Sequence, residues 1–462
     1  MTRTKEYVAF IKFLFATLAF AYIYIYVFGN PRVSYDGWQY LSSAKAIITN
    51  TLPENFFWVR QPGYPLFIAL ASLLSSSLWF LFGAQTFIFI SAYTIFAFEA
   101  RQYFPSVLLV RYLLLAFGNF AFILFFIGGY FIIVTPQSIT SSFLLLLTAG
   151  ILRTYKTIDI GQATEIGNRE RLSLILLYIF FPFMSLVGYS ILAFLGALPI
   201  VSLIFLLAKH FYTSIKESHK SIGVLAVRES KWLGLIFVTV ILYVLSSTLW
   251  QIYSSRMMSD PGFNVANLKD PFWGSGLNSY IKNMLHEPTL LHYIPATFLA
   301  LLMFIPNQGW NGATLERSIN NHSQNGDVGY GLFSANYGPC VVDPPQVLAV
   351  DNDFIHDFLW RNTCSFTHFN LPILAYPLLF LIWITLCGVW IWITLRRKFE
   401  FSLIASLPIL LFLAVYSLFG GGIDRYGSSS YPIIGFISTI YLYEFFSAHI
   451  SDRKEVHIKF KK

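Results

Sequence analysis

Asp36 is the first acidic residue after a long apolar stretch, and the residues around it favour a helix that runs to about residue 49. Tyr40 and Ala44 follow at intervals of four residues, so the three side chains share one helical face. A carboxylate in this setting can act as a general base that takes a proton from a hydroxyl. The alternative is that Asp36 only caps the helix, since Asp is a favoured N-cap residue.

Arg60 stands beside a rigid stretch, Pro62-Gly63-Tyr64-Pro65, that opens a second apolar run. Prolines this close together exclude a helix interior, so the arginine is expected at the membrane boundary. A guanidinium group there fits the oxygens of a phosphate. Snorkelling of an isolated arginine toward water is the alternative. Tyr64 is expected to line a substrate pocket beside Arg60.

A third group lies near the C-terminus, where Asp424-Arg425-Tyr426 follows closely on three consecutive glycines. Charged residues in a short connection at the membrane edge are functional candidates by default. Arg425 is the preferred phosphate ligand, ahead of Arg60, because an arginine fork matches phosphate oxygens. Asp424 and Tyr426 are expected in the same pocket. A local pair between Asp424 and Arg425 is the alternative.

The composition of the chain decides what kind of elements must position these residues. Of its 462 residues, 56% are hydrophobic and only 12% are charged. Soluble domains carry about 25% charged residues, so part of this protein's surface must face lipid. A disordered, collagen-like or coiled-coil chain and a disulfide-rich secreted scaffold are excluded. The composition predicts an all-α polytopic membrane protein.

Ten apolar stretches are candidates for transmembrane helices. They are residues 8–29, 81–99, 107–128, 136–152, 173–189, 190–208, 233–253, 371–395, 401–419 and 431–448. Residues 64–79 are expected to lie in the interface, and residues 293–306 are expected not to cross. The chain then divides into a first transmembrane helix (1–29), a first external loop with amphipathic and interfacial helices (30–80), transmembrane helices 2–7 (81–253), a large external loop (254–370), transmembrane helices 8–10 (371–448) and a basic cytoplasmic tail (449–462).

The distribution of positive charge sets the orientation of these helices. Of the 31 Lys and Arg residues, 21 fall in predicted cytoplasmic segments and 9 in external ones, and Lys12 lies within the first helix. By the positive-inside rule, both termini are cytoplasmic and Asp36, Arg60 and Arg425 face outside. The net charge of +8 is therefore an orientation signal, and nucleic acid is not an expected partner. A bacterial inner membrane is the expected location.

The three cysteines divide between loop and membrane. Cys340 and Cys364 fall in the large external loop, and Cys387 lies within a predicted helix. A disulfide between Cys340 and Cys364 is expected if that face is oxidising. Two unrelated thiols are the alternative.

Taken together, the motifs resemble those of the GT-C glycosyltransferases, polytopic enzymes that include the protein O-mannosyltransferases and the aminoarabinose transferases. That superfamily has an acid just after the first span, an Asp-x-x-x-Tyr-x-x-x-Ala helix, an Arg-x-Pro-x-Tyr-Pro stretch and an Arg-Tyr pair before the final span. The matching residues here are Asp36, Tyr40, Ala44, Arg60, Pro62, Tyr64, Pro65, Arg425 and Tyr426. Many relatives carry a second acid in a short external loop, where this chain has Gln137.

The resemblance implies a GT-C-like fold and transfer of a sugar from a polyprenyl-phosphate donor to an acceptor hydroxyl on the external face. Asp36 would be the general base, and Arg425 and Arg60 would hold the donor phosphate in an inverting displacement. The acceptor is open between a lipid-linked molecule, a glycan and a protein. Gln137 is expected to bind sugar or acceptor, no metal is assigned, and a divalent cation is left open.

Two other functions stay open at this stage. A lipid or sugar transporter or flippase is the first, but such proteins often need ionisable residues in the centres of their spans. Here Lys12, Glu99, Arg111 and Glu444 lie toward the predicted cytoplasmic ends. A polysaccharide polymerase is the second, and polymerases usually rely on external arginines without an acid directly after the first span.

Overall fold

The computed structural model describes residues 3–28, 35–49, 63–75, 78–127, 134, 136–160, 375–396, 400–419 and 428–459, with short helical stretches between 200 and 245. This part of the chain is helical and contains no strand. Its elements are α1 (Arg3–Phe28), α2 (Tyr35–Thr49), α3 (Gly63–Leu74), α4 (Leu78–Arg101), α5 (Leu109–Ile127), α6 (Gln137–Ile160), α7 (Ala375–Arg396), α8 (Glu400–Phe419), a 3-10 turn η1 (Ser428–Ser430) and α9 (Tyr431–Lys459).

Several helices present apolar surface outward as well as inward. Within the described residues, Thr4–Ile25, Trp79–Arg101 and Gln137–Lys156 are long and apolar enough to cross a membrane, and α5, α7 and α8 contain shorter apolar stretches. Phe15, Leu114 and Leu395 are 65%, 66% and 75% exposed on the outside of the bundle. Lipid covers such faces, whereas water would not. The chain is an integral membrane protein, and the predicted all-α polytopic fold class is confirmed.

The helices α2 and α3 are too short to cross. The helix α3 has 12 residues, so it extends about 18 Å. Pro65 lies in its first turn, where the missing N–H of a proline costs no helical hydrogen bond. The helix α2 begins at Tyr35, so Asp36 is its second residue and lies inside the first turn. The predicted N-cap position is therefore displaced by a residue or two, which is the usual uncertainty in a helix boundary.

The centre of the bundle is α4, which packs against α1 and α6. A large aromatic core joins α4 to α5 and α9, with the Tyr93 and Phe120 rings 5.6 Å apart and the Phe96 and Phe436 rings 5.0 Å apart. Such pairs prefer tilted or edge-to-face geometry and add to the energy of burial. The helices α4 and α6 run in the same direction, so their N-terminal turns lie at one end of the bundle and their C-terminal turns at the other.

The two ends differ in chemistry. At the ion-pair end, formed by the C-terminal turns of α4 and α6 with the start of α5, Glu99 Oε1 lies 3.5 Å from Arg153 Nη1. Arg111 Nη1 donates to the Tyr443 hydroxyl over 3.1 Å at the same end. The site end comprises the N-terminal turns of α4 and α6 with α2, α3 and η1. Among the described residues, Arg111 and Arg153, which are predicted to be cytoplasmic, therefore lie at the end of the bundle opposite to Tyr40 and Tyr64.

Candidate active site

Tyr40 and Tyr64 meet at the site end. Both side chains are fully buried, and their rings lie 5.0 Å apart at an interplanar angle of 88°. Ala44 is buried in the same apolar cluster, so the predicted shared face of α2 is the one that packs inward. Asp36 occupies the position one turn before Tyr40 in this helix. The contact joins the two sequence motifs that lie between residues 30 and 80.

The structure adds a residue that the sequence analysis missed. The Tyr64 hydroxyl donates a hydrogen bond to Gln85 Oε1, and Gln85 is fully buried in the second turn of α4. A buried amide needs such a partner, because an unpaired one would lose its bonds to water without replacement. The available signal was the polar pair Gln85-Thr86 in an otherwise apolar run, residues 78–90.

Gln137 opens α6 beside this group. Val134 and Ile139, on either side of it in the chain, belong to the apolar cluster that contains Tyr40 and Tyr64. Gln137 is only 4% exposed. The structure therefore brings three predicted pocket residues, Tyr40, Tyr64 and Gln137, to one end of the bundle.

The chain returns to the same place before its last helix. The Ser429 hydroxyl in η1 donates to the Gln137 carbonyl oxygen over 3.4 Å. Asn119 Nδ2 donates to the Pro432 carbonyl oxygen over 3.3 Å, and the Tyr431 ring lies 4.3 Å from the Trp383 ring. The first contact holds Ser429, three residues beyond Tyr426, at the start of α6, and the other two hold Pro432 and Tyr431 against α5 and α7.

Several predicted positions lie outside the described residues. They are Arg60, Asp424, Arg425, Tyr426 and the expected disulfide partners Cys340 and Cys364. Cys387 is described and lies buried in α7. Across the described ranges, no group of three or more His, Cys, Asp or Glu side chains is placed to hold a metal ion.

Around the start of α6, the described part of the site end carries aromatic rings, an amide and hydroxyl groups among apolar side chains, while Asp36 and Lys45 are its charged residues, both in α2. Gln137, Ser138, Ser429 and Ser430 are all at most 4% exposed. Polar groups in such surroundings bind a hydroxylated ligand more strongly than in water, because little solvent competes for them. The arrangement suits a ligand with hydroxyl groups.

Comparison with known proteins gives one structural similarity to report. No sequence family model and no curated protein matches the chain. It is similar to the crystal structure of ArnT from Cupriavidus metallidurans bound to undecaprenyl phosphate, with 12% sequence identity and a TM-score of 0.47. The similarity covers 95% of this chain and 60% of that chain, so the protein spans about 60% of the length of its structural relative.

Proposed function

We propose that the chain is a membrane glycosyltransferase that moves a sugar from a polyprenyl-phosphate donor to an acceptor hydroxyl on the external face of a bacterial inner membrane. The observation that carries the proposal is the contact between Tyr40 and Tyr64. It brings the helix that holds Asp36 against the helix that follows Arg60. The return of the chain at Ser429, two residues beyond the end of the Arg425-Tyr426-Gly427 stretch, supports the same location for the third motif.

In the proposed reaction, Asp36 is the general base. Its carboxylate takes the proton of the acceptor hydroxyl while the hydroxyl oxygen attacks the anomeric carbon. The bond from that carbon to the donor phosphate oxygen breaks, and the lipid phosphate leaves with the electron pair. A single displacement of this kind inverts the anomeric configuration. A positioned base typically contributes about 10²–10⁴-fold to the rate.

The leaving phosphate gains negative charge at the membrane edge, where little water is available to stabilise it. A fixed cation there acts strongly on the transition state. We assign that role first to Arg425 and second to Arg60, because a guanidinium fork can bind two phosphate oxygens at once. Tyr40, Tyr64, Tyr426 and Asp424 complete the pocket in this proposal. The acceptor is a lipid-linked molecule, a glycan or a protein.

The test compares two variants of the purified full chain in lipid nanodiscs. Asp36→Asn is expected to lose turnover by about 10²–10⁴-fold while still binding undecaprenyl phosphate, because it removes only the base. Arg425→Ala is expected to weaken binding of undecaprenyl phosphate as well. Turnover is measured as release of the polyprenyl phosphate from a panel of polyprenyl-phosphate sugars with membrane extract as acceptor.

Asp159→Asn is the matched control, since it makes the same chemical change near the C-terminus of α6, at the ion-pair end. It is expected to keep wild-type turnover. Wild-type turnover in Asp36→Asn would show that this residue only stabilises the first turn of α2. Labelling of cysteines introduced at positions 36 and 425 from opposite sides of the membrane would overturn the whole assignment.

A further inference from the structure

Gln137 and Ser138 begin α6 with two buried polar atoms that have no protein partner. The side chains are 4% and 1% exposed, respectively. Gln137 Oε1 and Ser138 Oγ make no hydrogen bond to any residue of the described structure. A buried polar group without a partner is unfavourable, because it has given up its bonds to water and gained nothing in exchange. A pair of them side by side needs an explanation.

The rest of α6 shows how the helix satisfies such groups when it can. The hydroxyls of Thr140, Ser142, Thr148 and Thr154 each donate to the carbonyl oxygen four residues earlier, over 2.7–3.0 Å. The corresponding residue for Ser138 is Val134, which precedes the helix. The N–H groups of Gln137, Ser138 and Ile139 likewise have no carbonyl one turn earlier within the helix, whereas the Thr140 N–H donates to the Pro136 carbonyl oxygen over 2.8 Å. The start of α6 therefore has unused hydrogen-bonding capacity that its later turns lack.

The chemistry of the two atoms limits the ligand. Gln137 Oε1 can only accept a hydrogen bond, whereas Ser138 Oγ can accept or donate. An ionised phosphate has no proton to donate to the amide oxygen, so it suits this pair poorly. A divalent cation prefers carboxylate ligands, and the pair itself offers only an amide oxygen and a hydroxyl. A hydroxyl group fits, since it donates to one atom and accepts from the other or from a first-turn N–H.

We propose that Gln137 and Ser138 form a hydroxyl-binding subsite that recognises a neutral sugar ring, an inference that rests on the proposed glycosyltransferase function. Each sugar hydroxyl bound there restores the hydrogen bonds that folding left unmade. A site built to bind a hydroxyl discriminates strongly against an analogue that lacks it, because the protein groups are then left unpaired again. The protein accordingly recognises the sugar by its hydroxyl groups, separately from the phosphate.

The proposal has a consequence that a purely structural role would not have. Replacing an unpartnered buried amide or hydroxyl with an apolar side chain of similar size removes an unfavourable burial and breaks no protein hydrogen bond. Gln137→Leu and Ser138→Ala should therefore leave the thermal stability of the ligand-free protein unchanged or higher. The same changes should weaken sugar binding by about 3–10-fold for each neutral hydrogen bond lost.

The experiment uses the full chain in nanodiscs and two sets of probes. The donor arm compares undecaprenyl phosphate with undecaprenyl phosphates that carry glucose, mannose, galactose or arabinose. The acceptor arm measures binding of the same free sugars in the presence of undecaprenyl phosphate. Affinity and thermal stability are recorded for wild type, Gln137→Leu and Ser138→Ala. Thr94→Val is the matched control, since Thr94 Oγ1 is also buried without a partner but lies farther along α4.

The expected result is that wild type binds one sugar-bearing lipid better than undecaprenyl phosphate, and that Gln137→Leu and Ser138→Ala lose this preference while keeping affinity for undecaprenyl phosphate. A loss confined to the acceptor arm supports the subsite and assigns it to the acceptor's hydroxyls. An unchanged sugar preference in both arms, or a clear fall in thermal stability of both variants, overturns the subsite while the glycosyltransferase function stands. Absence of any sugar preference in wild type overturns the proposed function itself. Thr94→Val is expected to behave as wild type in both arms.

Discussion

The ion-pair end and the site end are built on the same two helices, yet the acid buried at one end is paired, whereas an amide and a hydroxyl buried at the other are not. The ion-pair end has one unpartnered buried atom of its own, Arg101 Nε, in a guanidinium that bonds through another nitrogen to the Phe104 carbonyl oxygen. At the ion-pair end, Glu99 is only 7% exposed and contacts both Arg153 and Gln102. At the site end, Gln137 Oε1 and Ser138 Oγ are buried without partners in the described structure. Structural polar groups are normally satisfied within the fold, and groups meant for a ligand are satisfied only when it binds. The contrast separates the part of α4 and α6 that holds the bundle together from the part that we assign to substrate.

The largest expected effect on stability concerns the packing of α9 at Gly435. A Cβ atom at Gly435 would lie 2.5 Å from Asn119 Oδ1, so the Asn119 side chain would have to move. It would then lose its bonds to the Tyr93 hydroxyl and the Pro432 carbonyl oxygen. We expect Gly435→Ala to lower the free energy of unfolding by about 3 kcal/mol, the upper part of the range for overpacking. Equilibrium unfolding in mixed micelles would measure it.

Two further variants check that reading of Gly435. Gly118→Ala is the matched control. Gly118 is the residue next to Asn119, and nothing lies within 4 Å of a Cβ atom placed on it. It should be neutral or slightly stabilising, since Ala favours helix over Gly. Adding Asn119→Ala to Gly435→Ala should remove the clash and recover part of the loss. Equal losses in Gly435→Ala and Gly118→Ala would contradict the steric explanation.

The ion-pair end gives a smaller effect without a change in function. Arg153→Met removes the cationic partner of the buried Glu99 carboxylate and leaves its bond to the neutral Gln102 amide. Breaking a fully buried pair costs about 3–5 kcal/mol, but the Arg153 side chain is 36% exposed. Screening by solvent reduces the expected loss to about 2 kcal/mol. Thermal unfolding and turnover should be measured on the same preparation, and turnover of the folded fraction should be unchanged.

The double variant Glu99→Gln with Arg153→Met separates charge from packing. It removes the unpaired carboxylate, so its stability should return most of the way to wild type. If the double variant is as unstable as Arg153→Met, the ion pair is not what holds α4 to α6 at that end.

The smallest stability effect is expected for the aromatic pair at the site end. Tyr64→Phe removes the hydrogen bond to Gln85 and keeps the ring contact with Tyr40. A single neutral hydrogen bond contributes about 1 kcal/mol, so the unfolding transition should shift only slightly. Turnover should fall more than stability does, because Tyr64 lines the proposed pocket. Tyr103→Phe, which loses a bond to the Leu152 carbonyl oxygen at the ion-pair end, is the matched control and should lose stability alone.

The sequence predicted the helices well and the pairing between them poorly. Apolar length located α1, α4, α5 and α6 to within a few residues at their N-terminal ends, because burial in lipid needs a continuous apolar run. The same signal placed the end of α6 near 152 and that of α9 near 448, whereas the helices continue to Ile160 and Lys459. Hydropathy reports where a helix leaves the lipid, and a helix can continue into water beyond that point.

In the candidate site, too, the local features could be predicted from the sequence and the contacts between helices could not. The face shared by Tyr40 and Ala44 follows from helical spacing alone, which is a local property. The bond between Tyr64 and Gln85 and the pair of Glu99 with Arg153 join residues of different helices. No local pattern contains such contacts, because they depend on which helices become neighbours. Gln137 was predicted because it stands where many members of the resembled family carry an acid. Nothing in the sequence pointed to Ser138, whose burial only the structure shows.

The return of the chain at η1 has a consequence for the order in which the protein is made. Tyr40 and Tyr64 lie close together in the sequence, so they can meet as soon as α2 and α3 have left the ribosome. The bond from Ser429 to Gln137 spans 292 residues, and that from Asn119 to Pro432 spans 313. Because membrane helices are synthesised and inserted from the N-terminus onward, these contacts form only with the last helix. A chain that stalls before α9 therefore lacks the contacts of Ser429 and Pro432, and under the proposed assignment its site stays incomplete until α9 is in place.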